Sequence, residues 1–199
     1  MKPDDVSTVI AIERLSFPTP WSASSFLYEL NHNTLSSYYV LSRPATGKAP
    51  SLERGWRHWL RGVVGIPRES RVIGYVGFRL QHAGVHISTI AVHPDWRGNG
   101  LGELLLLTAM EQALRLEAGM VSLEVRALNQ VAQRLYHKYG FRFKEIHRGY
   151  YRNGEDAWLM EAQVNPVAYR AQLTRLRRAL DARLRWQQIG VGQNDGDGL

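Results

Sequence analysis

One arginine and three glycines stand together in Arg97-Gly98-Asn99-Gly100-Leu101-Gly102, a combination suited to holding an anion. Taken alone, Asn99-Gly100 is a strong hairpin signal. The following "LGELLLLTAMEQAL" has helical rather than alternating periodicity, so the glycines join a strand to a helix N-terminus. At such a junction the first helical N–H groups lack partners in the chain, the helix dipole favours negative charge, and glycines admit close approach to the backbone. Arg97 adds a planar fork of donors suited to phosphate. The absence of a following Gly-Lys-Ser/Thr excludes a Walker loop, and the glycine order is not that of the dinucleotide fingerprint.

A second candidate for chemistry is Glu124 in "LEVRALN". Strand alternation places it on one sheet face with Ser122 and Arg126, between apolar Leu123 and Val125. Apolar flanks predict a raised carboxyl pKa, suited to proton removal near neutral pH; pairing with a neighbouring arginine is the alternative. Tyr136, read from spacing alone, is a packing residue on the next helix. His82, His86 and His93 have no paired carboxylate at ligand spacing, so no metal is expected. The sequence has no cysteine, which excludes a disulfide framework, a Cys-type zinc site and a cysteine nucleophile.

The elements that must position these residues alternate between strand and helix. "DDVSTVIAIERLSF" and "SASSFLYEL" read as helices, the second capped by Ser22, and "SSYYVLS", "RVIGYVGFRLQ" and "VHISTIAV" read as strands. "RVIGYVGFRLQ" is apolar enough for an interior position. Residues 101–118 form a mostly buried helix with one polar stripe through Thr108, Glu111, Gln112 and Arg115. "MVSLEVRA" is a strand. Asn129 caps a helix whose inner face carries Val131, Leu135 and Tyr139 and which stops at Gly140. "FRFKEIHRGYY" and "DAWLMEAQV" close the core as strands. The order implies an α/β layered fold, with helices covering a central sheet.

The 199 residues, 44% hydrophobic and with a formal charge of +7, suffice for one core with appendages. One domain is expected over 1–164, interrupted by a basic insertion at about 42–70. There Leu52, Trp56, Trp59, Leu60 and Val63 lie at helical spacing among arginines. Residues 165–189 form a second basic amphipathic helix with Tyr169, Leu173, Leu176, Leu180 and Leu184 along its apolar stripe, and 190–199 form a disordered tail. The N-terminus lacks the apolar region of a signal peptide, and no run approaches the ~20 apolar residues of a membrane span. A cytoplasmic protein with anionic company is expected.

"TIAVHPDWRGNGLG" (89–102), "FPTPWSASSF" (17–26), "LEVRALNQVAQRLYHKYGF" (123–141) and "RGYYRNGEDAWLM" (148–160) together resemble the GNAT acetyltransferase superfamily. Within it they are similar, in order, to the RimI-type ribosomal-protein N-terminal alanine acetyltransferases. The resemblance spans roughly residues 4–163 outside the insertion. It implies the GNAT fold, a central, mostly antiparallel twisted sheet flanked by helices, and acetyl-CoA as cosubstrate without a metal. It also implies Glu124 as general base and Tyr136 as proton donor, with Gly98, Asn99, Gly100, Leu101, Gly102 and Arg97 on the CoA pyrophosphate. Ile90, Ala91 and Val92 would grip pantetheine and stabilise the oxyanion through backbone N–H groups, and Asn129 would contact CoA besides capping its helix. Phe17, Trp21, Tyr150 and Tyr151 would line the mouth for a peptide N-terminus.

The implied activity is acetylation of a protein N-terminal α-amine, that of a ribosomal protein with N-terminal alanine, by direct attack. Lysine side chains or small amines are the alternative acceptors, and a non-catalytic acetyl-CoA-binding or RNA-associated module is a third reading. The chain departs from the pattern in its basic insertion, in its basic C-terminal helix, and in leaving little sequence for a first strand. The basic segments suit RNA or a ribosomal surface, and a monomer or a dimer is compatible with the sequence.

Overall fold

A computed structural model describes residues 1–43, 72–81 and 84–192. The helix expected within 42–70 and residues 193–199 lie outside the described residues. The chain opens with a short 3₁₀ turn, then α1 (Val6–Ser16) and α2 (Ala23–His32). Ser22 caps α2 as its spacing suggests, its Oγ accepting from the Ser25 amide at 3.0 Å. Among the described residues no strand precedes α1, and the sheet begins with β1 (Ser36–Ser42).

β2 (Val72–Gln81), β3 (Gly84–Val92), β4 (Met120–Arg126), β5 (Arg142–His147) and β6 (Ala157–Gln163) complete six strands in the order β1-β2-β3-β4-β6-β5. Every neighbouring pair is antiparallel except β3 and β4. β2 is buried from Val72 to Phe78, which accounts for its dense apolar run. Helices cover both faces. On one, Val9, Ile12 and Phe26 from α1 and α2 meet Tyr75 and Ala91; on the other, α3 (Leu101–Arg115) contributes Leu106 and Met110, which pack with Leu123.

β3 carries a bulge. Gly77 of β2 opposes Thr89 and Phe78 opposes Ile87, so Ser88 has no opposite number. Val85 and Ile87 before the bulge, and Ile90 and Val92 after it, all belong to the α3-side core. His86, Thr89 and Ala91 face the other side.

α3 ends three residues before the expected boundary, where Glu117 adopts a positive φ of 55°. α4 (Gln130–Lys138) also corrects the sequence reading. Val131 is 73% exposed, whereas Gln133 and Tyr136 are buried. Asn129, whose Oδ1 accepts from the Ala132 amide, fixes the start of the helix. Gln133 then turns inward to donate to the Arg126 and Ala127 carbonyls, rotating the buried stripe away from Val131.

α5 (Pro166–Gly192) packs along α3. Tyr169, Leu173 and Leu180 are buried beneath it, Arg177 makes a two-pronged pair with Glu111 at 2.6 and 3.1 Å, and Arg183 reaches Glu103 at 2.5 Å. Two arginines of this basic helix, Arg177 and Arg183, thus fasten it to the domain.

At the start of the β3–β4 pair, a Cβ on Gly84 (φ +146°) would lie 2.0 Å from the Met120 carbonyl oxygen. Gly84→Ala should therefore destabilise the fold by more than about 1 kcal/mol, seen as a lower urea midpoint. An unchanged midpoint would show that the two strands can separate there without cost.

Candidate active site

β3 and β4 are paired only at Val85–Val121, His86–Ser122 and Ile87–Leu123. Beyond that point β4 continues against β6, and among the described residues the edge of β3 through Ile90, Ala91 and Val92 has no strand partner on the β4 side. Unpaired strand N–H and C=O groups are a template for an extended ligand.

The glycine turn follows directly. A 3₁₀ turn over Pro94–Trp96 leads into it, with Trp96 fully buried, and Gly98 (φ +79°) and Gly100 (φ +76°) take conformations that favour glycine. Gly100 is the N-cap of α3 and supplies no capping side chain, so the first amides of a 15-residue helix, at Leu101 and Gly102, point out of the turn. Asn99 ties the turn to itself, donating to the Trp96 and Arg97 carbonyls. Arg97 departs from its expected posture: its Nε donates to the Val92 carbonyl at 3.0 Å and its Nη2 to Ser16 Oγ at 2.9 Å. Its guanidinium holds the turn to β3 and α1.

Glu124 lies on the side of β4 shared with Ser122 and Arg126, as alternation requires. Its Oε2 is 3.2 Å from His86 Nε2, and His86 Nδ1 is 3.0 Å from Ser122 Oγ. The expected raised pKa is not found. Burial does push the carboxyl up, but the hydrogen bond and charge of His86, with the charge of His147, carry it below the ordinary carboxylate value. Arg126 does not pair with Glu124; it binds Glu155 at 2.5 Å and lies 3.8 Å over the Tyr151 ring.

Tyr136, on the inner face of α4, is 6% exposed and packs on Phe141 at 5.8 Å between ring centres. Burial, reinforced by Tyr151, pushes its hydroxyl pKa far up, so it keeps its proton at neutral pH. It does not line the cavity that holds Glu124.

That cavity, of about 300 Å³, brings together all four aromatic residues expected at the acceptor mouth: Phe17, Trp21, Tyr150 and Tyr151. Tyr150 and Tyr151 meet edge-on at 5.2 Å, and burial pushes the Tyr151 hydroxyl up to about 12. Their turn is tied by Asp156, which accepts from the Gly149 amide. On the opposite wall stands Glu13, 1% exposed, which sequence reading missed. It accepts from the Trp21 amide, from Tyr75 Oη and from Thr89 Oγ1, joining the α1–α2 loop to β2 and β3. Burial raises its pKa while these donors pull it back. The available signal was a carboxylate on the apolar stripe of α1, after Val9 and Ile10. His86 was likewise missed because its partner is 38 positions away, across two strands.

The profile of the acetyltransferase (GNAT) family matches residues 27–141. The chain belongs to the GNAT acetyltransferase family. A Bacillus subtilis (strain 168) protein provisionally named a ribosomal protein bS18-alanine N-acetyltransferase is 33% identical over 166 residues, 83% of this chain and 93% of that protein. An N-alpha-acetyltransferase of Saccharolobus solfataricus is 28% identical over 79% of this chain and 86% of its own length. In fold, the ribosomal-protein-S18-alanine N-acetyltransferase from Escherichia coli superposes with a TM-score of 0.63 at 23% identity, covering 83% of this chain and 91% of that structure.

GNAT enzymes use acetyl-CoA, and two features of this chain fit it. The unpaired edge of β3 suits an extended amide-bearing arm, and the uncapped start of α3, opened by positive-φ glycines, suits phosphate.

If His86 is what holds the Glu124 carboxyl down, His86→Ala leaves burial dominant and the carboxyl must titrate at higher pH. Side-chain ¹³C NMR of Glu124 reads this directly; an unmoved or lower titration would refute the assignment.

Proposed function

We propose that this GNAT enzyme transfers the acetyl group of acetyl-CoA to the N-terminal α-amine of a protein, a ribosomal protein with N-terminal alanine. The observation that carries the reading is the shape of the acceptor side. The Glu124 cavity shares Thr19 and Trp21 with a wider hollow of about 860 Å³ that runs over Ser22, Ser25 and Tyr28 to Arg152. A small cationic amine is best held in a closed acidic pocket, whereas a peptide needs a mouth that continues into a groove. The names of the Bacillus subtilis and Saccharolobus solfataricus relatives agree with this choice.

Bound acetyl-CoA supplies the thioester whose C–S bond breaks as the new C–N bond forms. The edge of β3 at Ile90, Ala91 and Val92 offers backbone N–H groups to the thioester arm and to its carbonyl oxygen. The turn from Arg97 to Gly102 receives the diphosphate on its amides, with Arg97 acting as a brace. Asn129 starts α4 beside the end of β4 and adds a side-chain amide on the cofactor side.

Glu124, ionised at neutral pH, takes the proton from the attacking nitrogen, which becomes strongly acidic once bonded to carbon. A carboxylate lowered by its partners is a weak base. It suits an α-amine of pKa ~7.7–8.0, which is partly neutral at pH 7, far better than a lysine at ~10.4. Tyr136, whose hydroxyl stays protonated, gives a proton to the departing sulfur. Phe17, Trp21, Tyr150 and Tyr151 enclose the first residue of the acceptor.

On the outer side of α5, Arg170, Arg175 and Arg178 stay exposed and form a cationic strip suited to the RNA of a ribosomal surface, in keeping with a cytoplasmic enzyme.

The decisive experiment incubates the protein and acetyl-CoA with peptides bearing free or blocked N-termini, lysine peptides and small amines, and follows thiol release. Only free α-amine peptides should react, with kcat/KM rising across pH ~7 to ~8 as the amine loses its proton. Reaction of blocked lysine peptides or small amines would overturn the acceptor assignment. Tyr136→Phe should lower kcat by roughly 10² to 10⁴, and Glu124→Gln should lower kcat while CoA binding persists. Full activity of either variant removes that residue from the proton transfers.

A further inference from the structure

We propose that Arg183, delivered by the appended helix α5, is a cofactor-positioning residue that holds a phosphate of CoA over the glycine turn. The role presupposes the acetyl-CoA site proposed above. A diphosphate on the turn calls for a cation, and Arg97, the arginine nearest in sequence, is turned away to Val92 and Ser16.

Arg183 stands where Arg97 does not. A Cβ placed on Gly100 would lie 2.9 Å from Arg183 Nη2 and 3.5 Å from its Nε, so the guanidinium rests directly against the N-cap of α3. Leu180, one turn earlier on α5, is 1% exposed and would lie 3.2 Å from the same Cβ. The seat is therefore packed.

The local charge balance points the same way. Glu103, in the first turn of α3 and 6% exposed, is 2.5 Å from both Arg183 and Lys138. One carboxylate between two cations gives this trio a net positive charge beside the open amides of the turn. Both cations stay accessible, with 46% of the Arg183 side chain and 39% of the Lys138 side chain exposed. Glu103 orients the Arg183 fork through Nη2, leaving other guanidinium N–H groups for a phosphate oxygen. α5 lies outside the residues matched by the family profile.

Titration calorimetry on the full chain tests the role, with CoA and 3′-dephospho-CoA as ligands and Arg183→Gln compared with Arg177→Gln. Arg177 fastens the same helix at Glu111 and serves as the docking control. Arg183→Gln should weaken CoA binding about tenfold and make it less sensitive to salt, while Arg177→Gln stays within about twofold of the unsubstituted protein. A loss confined to CoA places Arg183 on the 3′-phosphate, and a loss shared with 3′-dephospho-CoA places it on the diphosphate; either supports the role. The role is overturned if Arg183→Gln binds CoA as the unsubstituted protein does, or if Arg177→Gln weakens binding equally, since the helix would then act only through its docking. Failure of the unsubstituted protein to bind CoA is a distinct result that removes the cofactor site itself, and this role with it.

Discussion

β3 and β4 run parallel for three residue pairs and then part, and the rest of the molecule is arranged around that parting. A parallel ladder offers evenly spaced bonds, and leaving one early exposes backbone groups that cannot stay dry and unpaired. The strands can afford the break because each is held on its other side, β3 by β2 and β4 by β6, over nearly its whole length. The gap is thus a fixed feature of the sheet. Its lower end is closed by the His86–Glu124 pair, and its upper end opens onto the glycine turn and the start of α3.

Two carboxylates of one cavity show how environment divides like groups. Glu13 and Glu124 line one cavity, yet burial wins at Glu13 and loses at Glu124. The partners explain the difference. Glu13 receives neutral donors from a backbone amide and two hydroxyls, whereas Glu124 is held down by the hydrogen bond and charge of His86 and by the charge of His147. Glu13 is accordingly a brace between α1, the Trp21 loop and the sheet, while the Glu124 carboxyl is held below its ordinary value on the same cavity wall.

Much of this was legible in the chain because it depends on local pattern. The helical period after Gly102, the apolar run of β2, the Ser22 and Asn129 caps and the Glu124 face of β4 are each set by neighbours within a few residues. What was not legible depends on contacts distant in sequence. The fork of Arg97 suits a phosphate by type, but the Val92 carbonyl and Ser16 engage it, and the apolar flanks of Glu124 favour a raised pKa that His86 and His147 reverse. Val131 was placed inside because it is apolar, but the cap and Gln133 set the rotation of α4. Two of the α5 arginines are committed to Glu103 and Glu111, partners on α3 that lie 80 and 66 positions away and outside any local pattern.

The bulge at Ser88 has a consequence for how this stretch can vary. A strand normally keeps one parity from end to end, so that a given face is written in every second letter. Here the extra residue shifts the phase: odd positions face α3 before it and even positions after it, which lets His86 and Thr89 reach the acceptor side from a strand that still buries Ile87 and Ile90. Deleting Ser88 would restore a regular ladder in which Thr89 follows Ile87 directly, keeping His86 and Thr89 on one face and Ile87 and Ile90 on the other and removing only the local bend and twist of the bulge. Ser88 is therefore the position at which β3 can lose a residue without exchanging the two faces of the sheet, whereas a one-residue change within either regular half would put that half out of step.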